Sequence, residues 1–132
     1  MSEKIKFDLV SPDNILLSSE VELVTIPGGE GDYGVMYGHQ PMITTIRPGI
    51  IETEIEKGTI SRFYVDGGFA EITNFDCSVL AEDAIAISDF KKVDIENRIK
   101  ESEKKFDDLT NDLDISLNHI RLEVLRKILI EK

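Results

Sequence analysis

The chain has 132 residues, an apolar share of 41%, no Trp and a formal net charge of −11. That length buries the core of one compact domain with room for a small appendage, and the acidic balance argues against nucleic acid or an anionic lipid surface as a direct ligand. The lone cysteine, Cys77, can form no internal disulfide, and there is neither an apolar run of membrane-spanning length nor a signal-peptide core, so a soluble chain in a reducing, cytosolic-side setting is expected, most simply in a bacterium.

Charge is unevenly spread along the chain. Residues 1–89 carry five basic groups against sixteen acidic ones, whereas residues 90–132 carry ten of each. The composition changes near Phe90, and so does the period of the apolar residues. Two modules are expected: a β module over 1–88 and a helical module over 89–132.

Ile5, Phe7 and Leu9 alternate with Lys4, Lys6 and Asp8, the pattern of a half-buried strand. Ser11-Pro12-Asp13-Asn14 has turn chemistry, and the apolar residues from Ile15 to Thr25 give two further strands. Pro27 to Gly49 then reads as a glycine-dense structured loop, with five glycines between Gly28 and Gly38. It contains a literal Gly-x-Gly-x-x-Gly in Gly29, Gly31 and Gly34. A phosphate cradle needs those glycines to open a helix, and here Glu30 and Asp32 would repel phosphate while Val35-Met36-Tyr37-Gly38 does not start a helix, so the stretch reads as structural.

Ile51, Thr53 and Ile55 alternate with glutamates, Lys57-Gly58 turns the chain, and Ile60 to Val65 returns it as a hairpin. Asp66-Gly67-Gly68 reads as the next turn, followed by strands around Phe69–Thr73, Cys77–Ala81 and Ala84–Ile87. The expectation is α+β: an N-terminal antiparallel β-sandwich of eight to ten short strands, then a C-terminal antiparallel two-helix hairpin. Cys77 reads as an inert strand cysteine.

In the helical module Ile95, Ile99, Ser102, Phe106 and Leu109 share one face, with Asp89 or Asp94 as candidate N-caps. Leu109-Thr110-Asn111-Asp112 marks a break. Leu113, Leu117, Ile120, Val124 and Ile128 form the stripe of the second helix, with Leu125 and Leu129 on a neighbouring face. This surplus of apolar surface calls for a second partner, either the β module or another protein.

Neither His39 nor His119 has a second ligand at metal spacing, and no nucleophile or oxyanion donor accompanies Glu30 and Asp32. No catalytic residue and no metal site is therefore expected. His39 reads as a turn residue or an interface hydrogen-bonder. From residues alone, a free-standing ligand-binding sandwich with a dimerising hairpin stays open as an alternative.

Pro27-Gly28-Gly29-Glu30-Gly31-Asp32-Tyr33-Gly34-Val35, followed by Gly38-His39-Gln40-Pro41 and Pro48-Gly49, resembles the signature of the epsilon subunits of F-type ATP synthases. Gly67-Gly68-Phe69-Ala70-Glu71 and Val79-Leu80-Ala81-Glu82-Asp83-Ala84 resemble a second block of that family, with Glu82 and Asp83 departing mildly from its pattern. The resemblance implies a non-catalytic rotor subunit in the central stalk of a proton-driven ATP synthase, peripheral on the cytoplasmic side of a bacterial plasma membrane, monomeric when isolated and without membrane insertion of its own. It implies that Glu30, Asp32, Tyr33, Met36, His39 and Gln40 face the gamma subunit and the c-ring. It also implies that Arg121, Arg126 and Lys127 meet acidic loops of the alpha and beta subunits and inhibit ATP hydrolysis. Some relatives bind ATP on the folded hairpin through Ile/Leu-Asp-x-x-Arg-Ala and two arginines four apart. Here Asp94, Arg98, Arg121 and Arg126 are the matching candidates, but Arg98 falls one place late, no Ala follows it, and the second pair is five apart. No cofactor is expected beyond ATP as a weak regulatory ligand.

Overall fold

The alternation at the N-terminus translates directly into a strand: Ile5, Phe7 and Leu9 are fully buried while Lys6 is exposed. The structure, a computed structural model, describes residues 3–132. It contains strands β1 (Ile5–Val10), β2 (Ile15–Val21), β3 (Leu23–Gly28), β4 (Gly31–Val35), β5 (Met42–Thr45), β6 (Gly49–Glu56), β7 (Thr59–Ile72) and β8 (Asp76–Ala86), then a 3₁₀ turn at Ile87–Asp89 and helices α1 (Lys92–Lys105) and α2 (Asp112–Glu131). The eight strands form one sheet in the order β2-β1-β8-β7-β6-β3-β4, with β5 paired to β7 off that path. It closes over on itself as a sandwich, so that Phe7, Val21, Ile26, Ile51, Ala70 and Val79 share one core.

Three expectations about the sheet are revised. Pairing is antiparallel throughout except between β1 and β8, which run parallel; far apart in sequence, they have no tight hairpin to set their direction. The glycine-dense stretch is largely strand, since β3 and β4 close a tight hairpin across Gly28 and Gly31 and β5 follows. A Cβ on Gly28 would lie 2.4 Å from the Tyr33 ring, so glycine there leaves room for the ring against the backbone.

The third correction concerns Asp66-Gly67-Gly68, which does not turn the chain. β7 runs unbroken through it, pairing with β6 as far as Val65 and with β5 from Phe69 onward. The glycine pair is where one long strand passes from one layer of the sandwich to the other. Gly68 has φ +108°, and a Cβ there would sit 2.0 Å from the Leu80 carbonyl oxygen of β8.

Lys91 stands at the N-cap of α1 and makes no side-chain cap hydrogen bond, so neither Asp89 nor Asp94 serves as N-cap; Asp94 instead lies in the first turn, where its charge complements the helix dipole. Asn111 caps α2, its Oδ1 accepting from the backbone N–H of Leu113 at 2.8 Å and of Asp114 at 3.3 Å. The buried stripe of α2 is Asn118, Leu122, Leu125 and Ile128, rotated from the expected one, and Leu113 is 66% exposed. This rotation has a physical cause. α2 packs against α1 and the sheet at once, so its most buried line falls between the two contacts, where Leu125 lies. No helix among the described residues is long and apolar enough to cross a membrane.

Candidate functional site

Two surfaces concentrate the candidate residues. The first is one pole of the sandwich, where the loop after β4 meets the β7–β8 turn. Gly38 N–H donates to the Asn74 carbonyl at 2.7 Å, and the Tyr37 and Phe75 rings lie 5.8 Å apart. Met36 and Phe75 are 57% and 64% exposed, which makes the pole an apolar patch on an otherwise acidic module. His39 Nδ1 donates to the Gln40 carbonyl at 2.7 Å, which sets the proton on Nδ1 and leaves Nε2 as an acceptor in the neutral ring.

The six residues expected to act together in this region are divided by β4. Its five residues extend over roughly 15 Å, placing Glu30 and Asp32 at the start of the strand and Met36, His39 and Gln40 beyond its far end. Asp32 already has a structural partner: Arg47 Nη2 donates to it at 2.5 Å while Nη1 donates to the Gly28 carbonyl at 2.6 Å. This clamp stiffens the β3–β4 hairpin. Glu30 is exposed, and Tyr33 is half-buried over Gly28.

The second surface is the platform on which the hairpin sits. Ile50, Tyr64 and Ile85 are register partners across β6, β7 and β8. Ile87, Phe90, Ile95, Leu125 and Ile128 cover them in a cluster separate from the sheet core. Tyr64 and Phe90 rings are 5.6 Å apart. Burial, and then the neighbouring Asp66 charge, push the Tyr64 phenol far above its ordinary range, so it stays protonated and donates to Asp66 Oδ2 at 3.2 Å.

Ion pairs rim this pad. Arg121 Nε donates to Asp66 Oδ2 at 2.5 Å and Nη2 to Oδ1 at 3.1 Å, and the Asp66 hydrogen bond raises the arginine's pKa despite partial burial. Arg98 on α1 pairs with Asp83 on β8; burial opposes its charge, and the carboxylate more than offsets that. Arg62 on β7 pairs with Glu131 at 2.5 Å, and Lys132 Nζ donates to the Ile87 carbonyl at 2.6 Å.

Of the nucleotide candidates, Arg98 and Arg121 line one small cleft between the modules, with a volume of about 120 Å³. Asp94 opens with Arg98 onto a neighbouring groove, while Arg126 pairs at the surface with Glu103 at 2.9 Å and belongs to neither. The three candidates for the catalytic head are likewise split: Arg121 faces the sheet, whereas Arg126 and Lys127 are exposed. Sequence reasoning missed Tyr64, Asp66, Asp83 and Asn118. The signal lay in Asp66 and Asp83, two carboxylates within strands that demand counterions once those strands pair.

Residues 4–87 match the family model of the ATP synthase delta/epsilon chain β-sandwich domain. The ATP synthase epsilon chain of Parvibaculum lavamentivorans is 46% identical over 112 residues, 85% of each chain. That of Paramagnetospirillum magneticum is 44% identical over 114 residues, 86% of each. Among solved structures, a chain of the Euglena gracilis mitochondrial ATP synthase in its OSCP/F1/c-ring assembly superposes with TM-score 0.72 at 25% identity, covering 97% of this chain and 79% of that one. A chain of the Tetrahymena thermophila central stalk and c-ring shares the fold at TM-score 0.67 and 14% identity, over 97% of this chain and 98% of that one. The chain belongs to the ATP synthase delta/epsilon chain family.

Proposed function

We propose that the chain is a non-catalytic subunit of the rotor of a proton-driven ATP synthase on the cytoplasmic side of a bacterial plasma membrane. Its β-sandwich grips the gamma subunit and rests on the c-ring, transmitting rotation, and its hairpin brakes ATP hydrolysis when released toward the alpha and beta subunits. Family membership across residues 4–87 carries this reading, because that span includes the exposed Met36–Phe75 pole as well as the stiff, Arg47-clamped hairpin. A rigid surface suits a shaft contact better than a catalytic one.

The docked hairpin is the unbraked form in this account. Asp83 and Asp66 occupy the two guanidiniums that a nucleotide would otherwise engage, so titration calorimetry with ATP should give binding no tighter than millimolar.

The direct test of coupling removes the epsilon chain from an ATP synthase of the same source and adds this protein back. Restored proton-driven synthesis, together with co-purification with gamma, is the expected result. A chain that neither binds gamma nor restores synthesis would overturn the assignment.

A further inference from the structure

The contact between hairpin and sheet is apolar at its centre and ionic at its rim, the composition of a surface that separates rather than of a core. Asp66 and Asp83 stand directly opposite each other on β7 and β8. Like charges so placed destabilise a strand pair unless cations cover them. Here the cations come from both helices, Arg98 from α1 and Arg121 from α2.

Arg121 does more than cover a charge. Its Nη1 donates at 2.7 Å to the same Asn118 Oδ1 that receives the Ser102 hydroxyl at 2.5 Å, and the Asn118 amide donates to the Ser102 carbonyl at 2.8 Å. Asn118 is fully buried and Ser102 nearly so, so these bonds are shielded from water and costly to leave unmade. An unbroken chain of hydrogen bonds thus runs from Tyr64 and Asp66 in the sheet, through Arg121 and Asn118, to Ser102 on the inner face of α1. The Arg121–Asp66 pair is the most shielded at the rim, with side chains 21% and 19% exposed.

We infer that Arg121, oriented by Asn118 and held on Asp66, is a latch that couples undocking of the hairpin from the sheet to loosening of α1 from α2. Losing Asp66 frees the guanidinium and strips Asn118 Oδ1 of a donor. Losing the helix seam removes the group that aims Arg121. Because Asp66 takes Nε and Nη2 of the guanidinium and Asn118 takes Nη1, the docked state also withholds Arg121 from any external acidic surface; this last point rests on the braking role proposed above.

The test uses the full chain carrying nitroxide labels at two pairs of exposed positions. Lys57→Cys with Ser116→Cys reports sheet to α2, and Lys92→Cys with Ser116→Cys reports α1 to α2; buried Cys77 stays unlabelled. Asp66→Asn should raise the undocked population by roughly tenfold to a hundredfold, the range for losing a charged hydrogen-bond partner. Arg121→Gln should do the same from the other side, which keeps the test informative if one variant folds poorly. Asn118→Leu should also lengthen the sheet–α2 distance although Asn118 touches no sheet residue through its side chain bonds. Arg126→Gln, an equal charge change at the Glu103 pair, should leave both distances alone. Unchanged sheet–α2 distances in Asp66→Asn and Arg121→Gln would overturn the latch, as would an Asn118→Leu effect confined to the α1–α2 distance. If Asp66→Asn undocks the hairpin yet leaves hydrolysis by the assembled enzyme unaltered, the latch stands and the braking role falls.

Discussion

Replacing Phe90 by alanine should free the helical hairpin while the β core stays folded. Phe90 is 1% exposed and lies at the junction of the modules, its ring 5.6 Å from Tyr64 and 5.2 Å from the Arg98 guanidinium carbon. Truncating a buried Phe costs about 3–5 kcal/mol, and the cation–π contact adds about 0.5–1 kcal/mol. Among the described residues only Tyr64, Ile87, Phe90, Ile95, Leu125 and Ile128 are buried in this cluster, and the more exposed rim pairs, Arg98–Asp83 and Arg62–Glu131, contribute about 1 kcal/mol each at most. The substitution therefore removes a large share of what holds the hairpin down. The sheet core, a separate cluster, loses none of its own buried side chains. Native-state hydrogen exchange read by mass spectrometry should show α1 and α2 losing protection by roughly two to three orders of magnitude, with β1 and β8 unchanged. Equal losses in helices and strands would refute the reasoning, because they would mean that the two clusters unfold as one unit.

Gly68→Ala should cost about 2–4 kcal/mol, combining a disfavoured φ with a clash against β8, whereas Gly58→Ala, with φ +88° and no atom within 4 Å, should cost only about 1 kcal/mol. Thermal melts giving equal losses would contradict the strand-crossing role of Gly68. Burial raises the Cys77 thiol to about 12, so a thiol reagent at pH 8 should label the chain only after denaturant is added. The same shift sets a pH dependence. The unfolded thiol ionises first, so the contribution is complete below about pH 8.5 and is lost as pH rises through the folded value, which denaturant titrations from pH 8 to 11 would detect.

Much of the fold can be read directly from residue patterns. The alternation in β1 and β6, the Lys57-Gly58 turn and the change of period at Phe90 all report on one face of one element, which local sequence encodes. Asp66-Gly67-Gly68 misleads because glycines that let a strand cross between layers have the composition of a turn; what separates the two cases is the Leu80 carbonyl, supplied by β8. The α2 stripe misleads for a related reason. Its most buried line is set by two neighbours together, and Asn118 is admitted to it only because Ser102 and Arg121 satisfy its side chain. At the pole, Met36 is an exposed and His39 a half-buried loop residue, as their composition implies, but their distance from Glu30 depends on β4 being a strand. The partners of Arg98 and Arg121 were hidden because Asp83 and Asp66 meet only through β7–β8 pairing.

The division of labour between a gripping sandwich and a braking hairpin is tested most directly by the ATP hydrolysis rate of the assembled enzyme, carrying either the full chain or a version ending at Asp89. The account predicts faster hydrolysis with the shortened chain at equal occupancy of the stalk. Identical rates would contradict it, leaving the sandwich as a coupling element and the hairpin without a braking role.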